Sequence, residues 1–597
     1  MLTNDIRSTY IKFFADRDHS VVPSASLIPV DPTLLLNVAG MVPFKSYLLG
    51  EEQAPNNRVV SSQKCIRTED IDLLGTTARH LSYFEMLGNF SFGDYFKETA
   101  IPLAYELITD GFNLDPDRLW FTVHDSDDEA AQIWLDVVGV RPDRLQRRDR
   151  DNFWQMGIAG PAGPSSEIFY DKGPEFGPDG GPVVDEERFM EFWNLVFMQY
   201  IQDEPYHVVG DLPAKSIDTG MGLERMAVLL QRVDSVFETD TIRAILSVGE
   251  RRTGVAYGDD ERSDISLRIL ADHARAVTFL INDGVVPSNQ GRGYILRRLL
   301  RRAVRHAHML GAKEPIIHAL VDATVVEMGD AYPAIKENHD FINELAGREE
   351  HAFSKTLASG EQMLDVALAE LPDGDPIPGE TAFKLHDTFG FPIELTEEIA
   401  LERGLAVDTR GFNREMGRQK ERARAAFKGD NTGDEAEAYR QLLRGIDQTD
   451  FIGYDSLEGR GKVLSILREG ESIERANTGN EIEVFLDVSP FYAESGGQVG
   501  DMGKITTETG IVEVADTRFA LPGVHGHRGK VVKGYIQHGQ DASLDIDAMR
   551  RERTRKNHTG THILHWALRE VLGDHVHQAG SLVAPDRLRF DFSHFEG

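Results

Sequence analysis

Residues 65–84 read CIRTEDIDLLGTTARHLSYF. The segments Cys65–Glu69 and His80–Phe84 enclose a loop containing Gly75, which predicts two antiparallel strands joined by that loop. Such a pair brings an arginine (Arg67), a carboxylate (Glu69) and an aromatic ring (Phe84) onto one sheet surface. A guanidinium can grip a phosphate through two parallel N–H bonds, and a phenylalanine face can stack on a base. Alone, the same residues also describe an ordinary charged strand pair. A second segment, Asp218–Arg225 (DTGMGLER), sets glycines where a strand meets a helix and puts Arg225 early on that helix. No GxxxxGK[ST] occurs and no GxGxxG joins a strand to a helix, so phosphate has to be held by parts of this kind.

Outward from these segments the chain runs to 597 residues, which at roughly 100–200 residues per domain suggests about three to five domains. Its 64 Lys and Arg against 98 Asp and Glu give a formal charge of −34, with 41% hydrophobic residues. That composition is too apolar for general disorder, and the charge excludes broad electrostatic adhesion to nucleic acid. No stretch approaches the ~18 consecutive apolar residues of a membrane span, and the N-terminus lacks the apolar core of a signal peptide. Cys65 is the only cysteine, which excludes an intrachain disulfide and a cysteine-rich zinc module. A cytoplasmic location without a membrane partner is expected.

The periodicity divides the chain into an α+β multidomain pattern. Over 1–245, strand-like segments at 58–67, 81–92, 118–125 and 189–201 alternate with amphipathic helical ones. Residues 246–450 are helical, with apolar residues at three/four spacing across 265–281, 294–310 and 343–371, and the stretch KGDNTGDEAEAY (428–439) has linker character. Residues 451–550 alternate with period two, as in KVLSILRE, EIEVFLDV and GIVEVADTRF, and predict a small β-barrel or sandwich. From 551 to 597 the chain begins again with a helix.

Two further features carry chemistry. Arg298, Arg301, Arg302 and Arg305 recur at helical spacing and share one face, either to read phosphates or to pair with the abundant carboxylates. His558 and His562 stand at i and i+4, as surface residues or as metal ligands; Thr559 occupies the place where a metalloprotease needs Glu.

The first two segments match the motif 2 and motif 3 patterns of class II aminoacyl-tRNA synthetases. The wording of PTLLLNVAGMVPFK, TARHLSYFEMLGNFSFGDYFK, MEFWNLVFMQY, DTGMGLERM, SNQGRGYILRRLLRRAVRH, ESGGQVGD and HTGTHILH resembles the alanyl-tRNA synthetase family, in colinear order over essentially the whole chain. The resemblance implies a six- to seven-stranded antiparallel class II sheet with flanking helices, then a helical tRNA-binding domain, a β-barrel and a partial α/β editing domain. It implies a ligase that attaches L-alanine to its tRNA through an alanyl-adenylate made from ATP, with Mg²⁺. Arg67, Asp218 and Arg225 are then catalytic; Arg67, Glu69, His80, Phe84 and Arg225 bind ATP. Met41, Trp154, Asn194, Val196, Asp218 and Gly220 bind alanine, Asp218 taking the α-ammonium. Ala162 and Ser165 stand where many relatives have cysteines, and the loop after Arg67 looks shorter than in some of them.

By the same resemblance Asn289 and Asp387 contact the G·U pair of the tRNA(Ala) acceptor stem, while Arg298, Arg301, Arg302 and Arg305 hold its phosphates without reading sequence. A small pocket cannot exclude glycine and excludes serine poorly, so proofreading is expected. His558 and His562 are implied as two of the Zn²⁺ ligands of that editing site and Gln578 as a residue lining it. The other two ligands and the oligomer-forming region are expected beyond residue 597, editing being expected only of the full-length protein. Two other readings, a stand-alone tRNA deacylase and a non-catalytic RNA-binding paralogue, do not suit a chain that keeps Arg67, Arg225 and Asp218.

Overall fold

The computed structural model describes residues 1–426 and 448–594, apart from 32, 69, 70, 370, 373, 374, 469, 522, 574, 575, 577 and 593. The stretch 428–439 and Glu69 therefore lie outside the described residues. The chain forms two compact units, 1–417 and 418–597.

The first unit is built on a nine-stranded sheet. In chain order its strands are β1 (Ser20–Val21), β2 (Arg58–Ile66), β3 (Tyr83–Phe92), β4 (Leu119–His124), β5 (Leu145–Arg148), β6 (Phe153–Gln155), β7 (Gly160–Asp171), β8 (Phe189–Glu204) and β9 (His207–Gly222). Six of them run antiparallel in the order β2-β3-β9-β8-β7-β4; β1 and β5 add parallel edges, and β6 pairs with β7. Period-two alternation sorts the two faces. On β8, Trp193, Leu195 and Phe197 join a core with Ile6, Tyr10 and Phe14 of helix α1 (Thr3–Ala15). Val196 and Met198 point the other way, into a cluster with Met41, Phe44 and Phe90. The second face therefore carries the cavity described below, on a sheet whose back is fully packed.

The predicted strands at 58–67, 81–92, 118–125 and 189–201 are β2, β3, β4 and the first part of β8. β7 is a strand that composition conceals. Its sequence, GPAGPSSEIFYD, carries Pro161 and Pro164, which cannot donate to the ladder, and the register to β8 shifts between Ala162 and Ser165. That irregularity is where the prolines are accommodated. Gly163 is required there, because a Cβ would stand 2.0 Å from the Phe197 carbonyl oxygen.

Helix α2 (Leu223–Gln231) follows β9 directly. The helical part comprises α3 (Glu261–Asn282), α4 (Gly291–Met309), α5 (His339–Ala369), α6 (Gly379–Phe389) and α7 (Ile393–Glu402). A buried polar chain ties it to the sheet. Ser82 donates to Asp272 of α3 through its backbone and hydroxyl, His273 pairs with Asp272 at 3.0 Å, and Arg302 of α4 lies 3.4 Å from His273.

In the second unit six strands close into a barrel, in the order 458–468, 481–486, 524–537, 510–521, 503–507 and 541–546, the last pairing back onto the first. Val463, Ile466, Val484, Ile505, Val512, Val531 and Leu544 fill it. Helix α8 (Ala548–Leu572) starts from the barrel, pinned by the buried pair of Arg551 with Asp501. A hairpin of 578–583 and 588–592 follows.

Candidate active site

A cavity of about 270 Å³ opens on the second face of the sheet. Arg67 follows β2, Phe84 lies on β3, Trp154 on β6, Asn194 and Val196 on β8, Asp218 and Gly220 on β9, and Arg225 on α2; all of them, with His80, line this one space. Nine residues singled out from sequence thus converge from six elements. Met41, also singled out from sequence, does not line it; it is buried, 1% exposed, in the apolar cluster that includes Val196 and has Trp154 packed against it.

The register explains the convergence. Asn194 faces Gly220 and Val196 faces Asp218 across β8 and β9, so the even-numbered residues of both strands share the cavity. A Cβ on Gly220 would come within 2.8 Å of the Met86 sulfur, so a side chain at 220 would displace the thioether that lines the cavity beside it. Asn194 donates to Glu167 at 3.4 Å, and its own carbonyl oxygen is buried without a partner among the described residues.

Charge in the cavity is uneven. Arg67 lies 5.0 Å above the Phe84 ring, and its Nε donates to the Val38 carbonyl at 3.0 Å. Arg225 pairs with Glu191 at 2.9 Å. Asp218 is 6% exposed, and burial, with no compensating cation among the described residues, pushes its carboxyl up to about 7. Burial likewise raises Glu167 to about 8, with the nearby charge of Glu191 adding to the effect. Glu224 is raised by burial, which outweighs its 2.6 Å pair with Arg275. A desolvated carboxylate in the same cavity as two arginines suits a ligand that brings both a cation and phosphates.

Several cavity residues were not anticipated from sequence. Glu191, Met86, Arg79, Glu224 and the Ala39–Gly40 backbone all line it. Glu191 alone carried a signal, since it lies on the same apolar strand as Asn194 and interrupts it with a charge.

The arginine face of α4 is corrected by its surroundings. Arg302 and Arg305 are 5% and 4% exposed and pair with Glu398 and Glu402 of α7, each through two nitrogens. Arg301 pairs with Glu349 of α5 at 2.5 Å and donates to the Gly390 carbonyl. The helical spacing does put these arginines on one face, but that face packs on α5 and α7 and forms an internal ionic seam in place of a phosphate surface. Arg298 is half-buried; Asn289 and Asp387 are exposed, and Asn289 receives a hydrogen bond from Arg297.

In the second unit His558 and His562 face each other on α8 with ring centroids 5.1 Å apart, and His558 is hydrogen-bonded to Gln498 at 2.7 Å. Gln578 opens the following hairpin and donates to Ser581. Among the described residues no group of three or more His, Cys, Asp or Glu could hold a metal ion. Two imidazoles do not fit the usual four-ligand zinc shell.

The antiparallel sheet, with an arginine after β2, an aromatic on β3 and an arginine opening the helix after β9, defines a class II tRNA synthetase. The family model of tRNA synthetases class II (A) matches residues 5–550. The alanine–tRNA ligase of Streptomyces avermitilis is 49% identical over 607 residues, covering 99% of this chain and 68% of the relative; that of Parafrankia sp. is 49% identical over 602 residues with the same coverage. A solved structure of apo S. aureus histidyl-tRNA synthetase covers 39% of this chain and 68% of its own, at 11% identity and a TM-score of 0.26. The chain belongs to the alanine–tRNA ligases, enzymes that aminoacylate tRNA with alanine.

Proposed function

We propose that the sheet cavity forms alanyl-adenylate from ATP and L-alanine and then passes the alanyl group to the acceptor end of tRNA. The alanine carboxylate oxygen attacks the α-phosphorus in line, the bond from that phosphorus to the bridging oxygen breaks, and pyrophosphate leaves. A ribose hydroxyl of the tRNA terminus then attacks the carbonyl carbon and AMP leaves. Neither step needs a protein nucleophile; both need position and charge neutralisation. ATP enters as its Mg²⁺ complex, the metal being carried chiefly by the phosphates.

The observation that carries this reading is the pairing, in one cavity, of a cation-seeking carboxylate (Asp218) with two anion-seeking guanidinia (Arg67, Arg225). Asp218 takes the α-ammonium. Arg67 takes the α-phosphate, Phe84 stacks on the adenine with Arg225 across it, and His80 lies beside the nucleotide. Trp154, Val196, Gly220 and Asn194 bound the side-chain pocket, with Met41 in the apolar cluster that backs Val196. Asn289 and Asp387 read the acceptor stem, with Arg298 on its phosphates. Editing of seryl- or glycyl-tRNA is assigned to the unit holding His558, His562 and Gln578, whose two imidazole donors support no hydrolytic step by themselves.

The test is ATP–pyrophosphate exchange with a panel of amino acids. Alanine should support exchange, glycine and serine weakly, valine and leucine not at all, because size exclusion is the pocket's main discriminant. Leucine matching alanine would contradict the pocket assignment.

A further inference from the structure

Arg292 is the second residue of α4, on the helical part of the unit, yet its side chain reaches the backbone of residues 34 and 35. Its Nε donates to the Leu35 carbonyl and its Nη2 to the Leu34 carbonyl at 3.3 Å. These carbonyls belong to a segment that continues straight into the site. Leu36 and Asn37 are buried at 4% and 1%, and the Asn37 carbonyl accepts the backbone N–H of Ile66 at 2.9 Å. The Val38 carbonyl accepts Arg67 Nε at 3.0 Å, and Ala39 and Gly40 line the cavity. One short run of backbone, 34–38, thus lies between the guanidinium of Arg292 and that of Arg67.

The placement of Arg292 is not explained by its own helix. A cation in the first turn opposes the positive end of the helix dipole, and this turn contains no acidic residue to offset it. Gly291 and Gly293 flank it, both poor helix formers. Gly293 is needed because a Cβ there would stand 2.3 Å from the Val286 carbonyl oxygen, so the turn 286–293 is drawn tight against the helix start. A helix opened in this unfavourable way fixes the origin of the Arg292 side chain.

We propose that Arg292 is a positioning residue for amino-acid activation: it fixes the track of segment 34–38, whose Val38 carbonyl in turn aims Arg67 at the α-phosphate. The proposal rests on the reading of Arg67 as a phosphate ligand. It makes a residue of the helical part contribute to amino-acid activation on the sheet. A planar fork on two successive carbonyls cannot be copied by an ammonium, so lysine should restore the function only in part.

The experiment is tRNA-free ATP–pyrophosphate exchange with alanine on the whole chain, comparing wild type, R67A, R292A, R292K and the double variant R67A/R292A, with thermal midpoints measured in parallel. R292A should lower kcat/KM for ATP about ten- to hundredfold, the cost typical of a reacting group displaced by about 1 Å, with a midpoint close to wild type and R292K between the two. Because Arg292 acts through Arg67, the double variant should be no slower than R67A alone. Wild-type exchange in R292A, or a double variant slowed by the product of the single losses, would overturn the proposal. Exchange close to wild type in R67A would instead overturn the phosphate role of Arg67, and the proposal with it. Should R292A not fold, R292K takes its place in the same cycle.

Discussion

Asp218 sets the pH behaviour of the site. Its carboxyl is held near 7 by burial, against about 3.9 in an unfolded chain, so the free enzyme loses the carboxylate as pH falls through about 7. If Asp218 takes the α-ammonium as proposed, alanine binding needs that carboxylate, and kcat/KM for alanine in exchange should rise with pH and level off above about 7; Asp218→Asn should be slow and flat. The linkage has a second consequence. A raised native pKa contributes stability that is full below the unfolded pKa and is lost as pH rises through the native one. Asp218→Asn should therefore raise the thermal midpoint at pH 8 and raise it less, or not at all, at pH 5. A midpoint difference that does not vary with pH would contradict the burial argument. Glu191 acts on the other charge: it holds Arg225 at 2.9 Å, and Glu191→Ala should raise KM for ATP while leaving that for alanine nearly unchanged.

At the scale of elements, α4 shows how far residue spacing can be read. The three/four recurrence of Arg298, Arg301, Arg302 and Arg305 fixes a common face but says nothing of what covers it, and Glu349, Glu398 and Glu402 lie 48 to 97 residues further along the chain. Breaking one such buried pair typically costs about 3–5 kcal/mol, so Arg302→Met should lower the thermal midpoint clearly, whereas Arg298→Ala should change mainly the salt dependence of tRNA binding. Glu349 bridges Arg297, which holds Asn289, to Arg301, which holds the Gly390 turn after α6. Asn289→Ala and Asp387→Ala should weaken charging and spare exchange; equal loss of both would point to misfolding. β8 was legible because it is a long apolar run, interrupted between Phe189 and Met198 only by Glu191 and Asn194. β7 was not, because Pro161 and Pro164 cannot donate to a ladder and sit where its register shifts. Glu69 lies outside the described residues.

For the whole molecule, every residue lining the cavity belongs to the unit 1–417. A fragment of that span should therefore catalyse exchange at a rate near that of the full chain. Cys65 offers an internal reporter: it is fully buried, burial pushes its thiol up to about 12, and it lies two residues from Arg67. A thiol reagent should leave it untouched until the catalytic sheet unfolds. The division into a sheet-bearing part, a helical part and a barrel was legible because the apolar period changes from mixed to helical to two. The compact units follow a different line, since helix α3 is buried against the sheet through Asp272 and Arg275 and belongs with it. On the proposed reading, the sheet cavity activates alanine before any tRNA is bound. Rapid-quench measurement of alanyl-adenylate in a single turnover, with ATP and alanine and no tRNA, tests it most directly. The predicted result is a burst approaching one equivalent of adenylate per chain, lost in Arg67→Ala; adenylate appearing only when tRNA is added, or a full burst in Arg67→Ala, would contradict it.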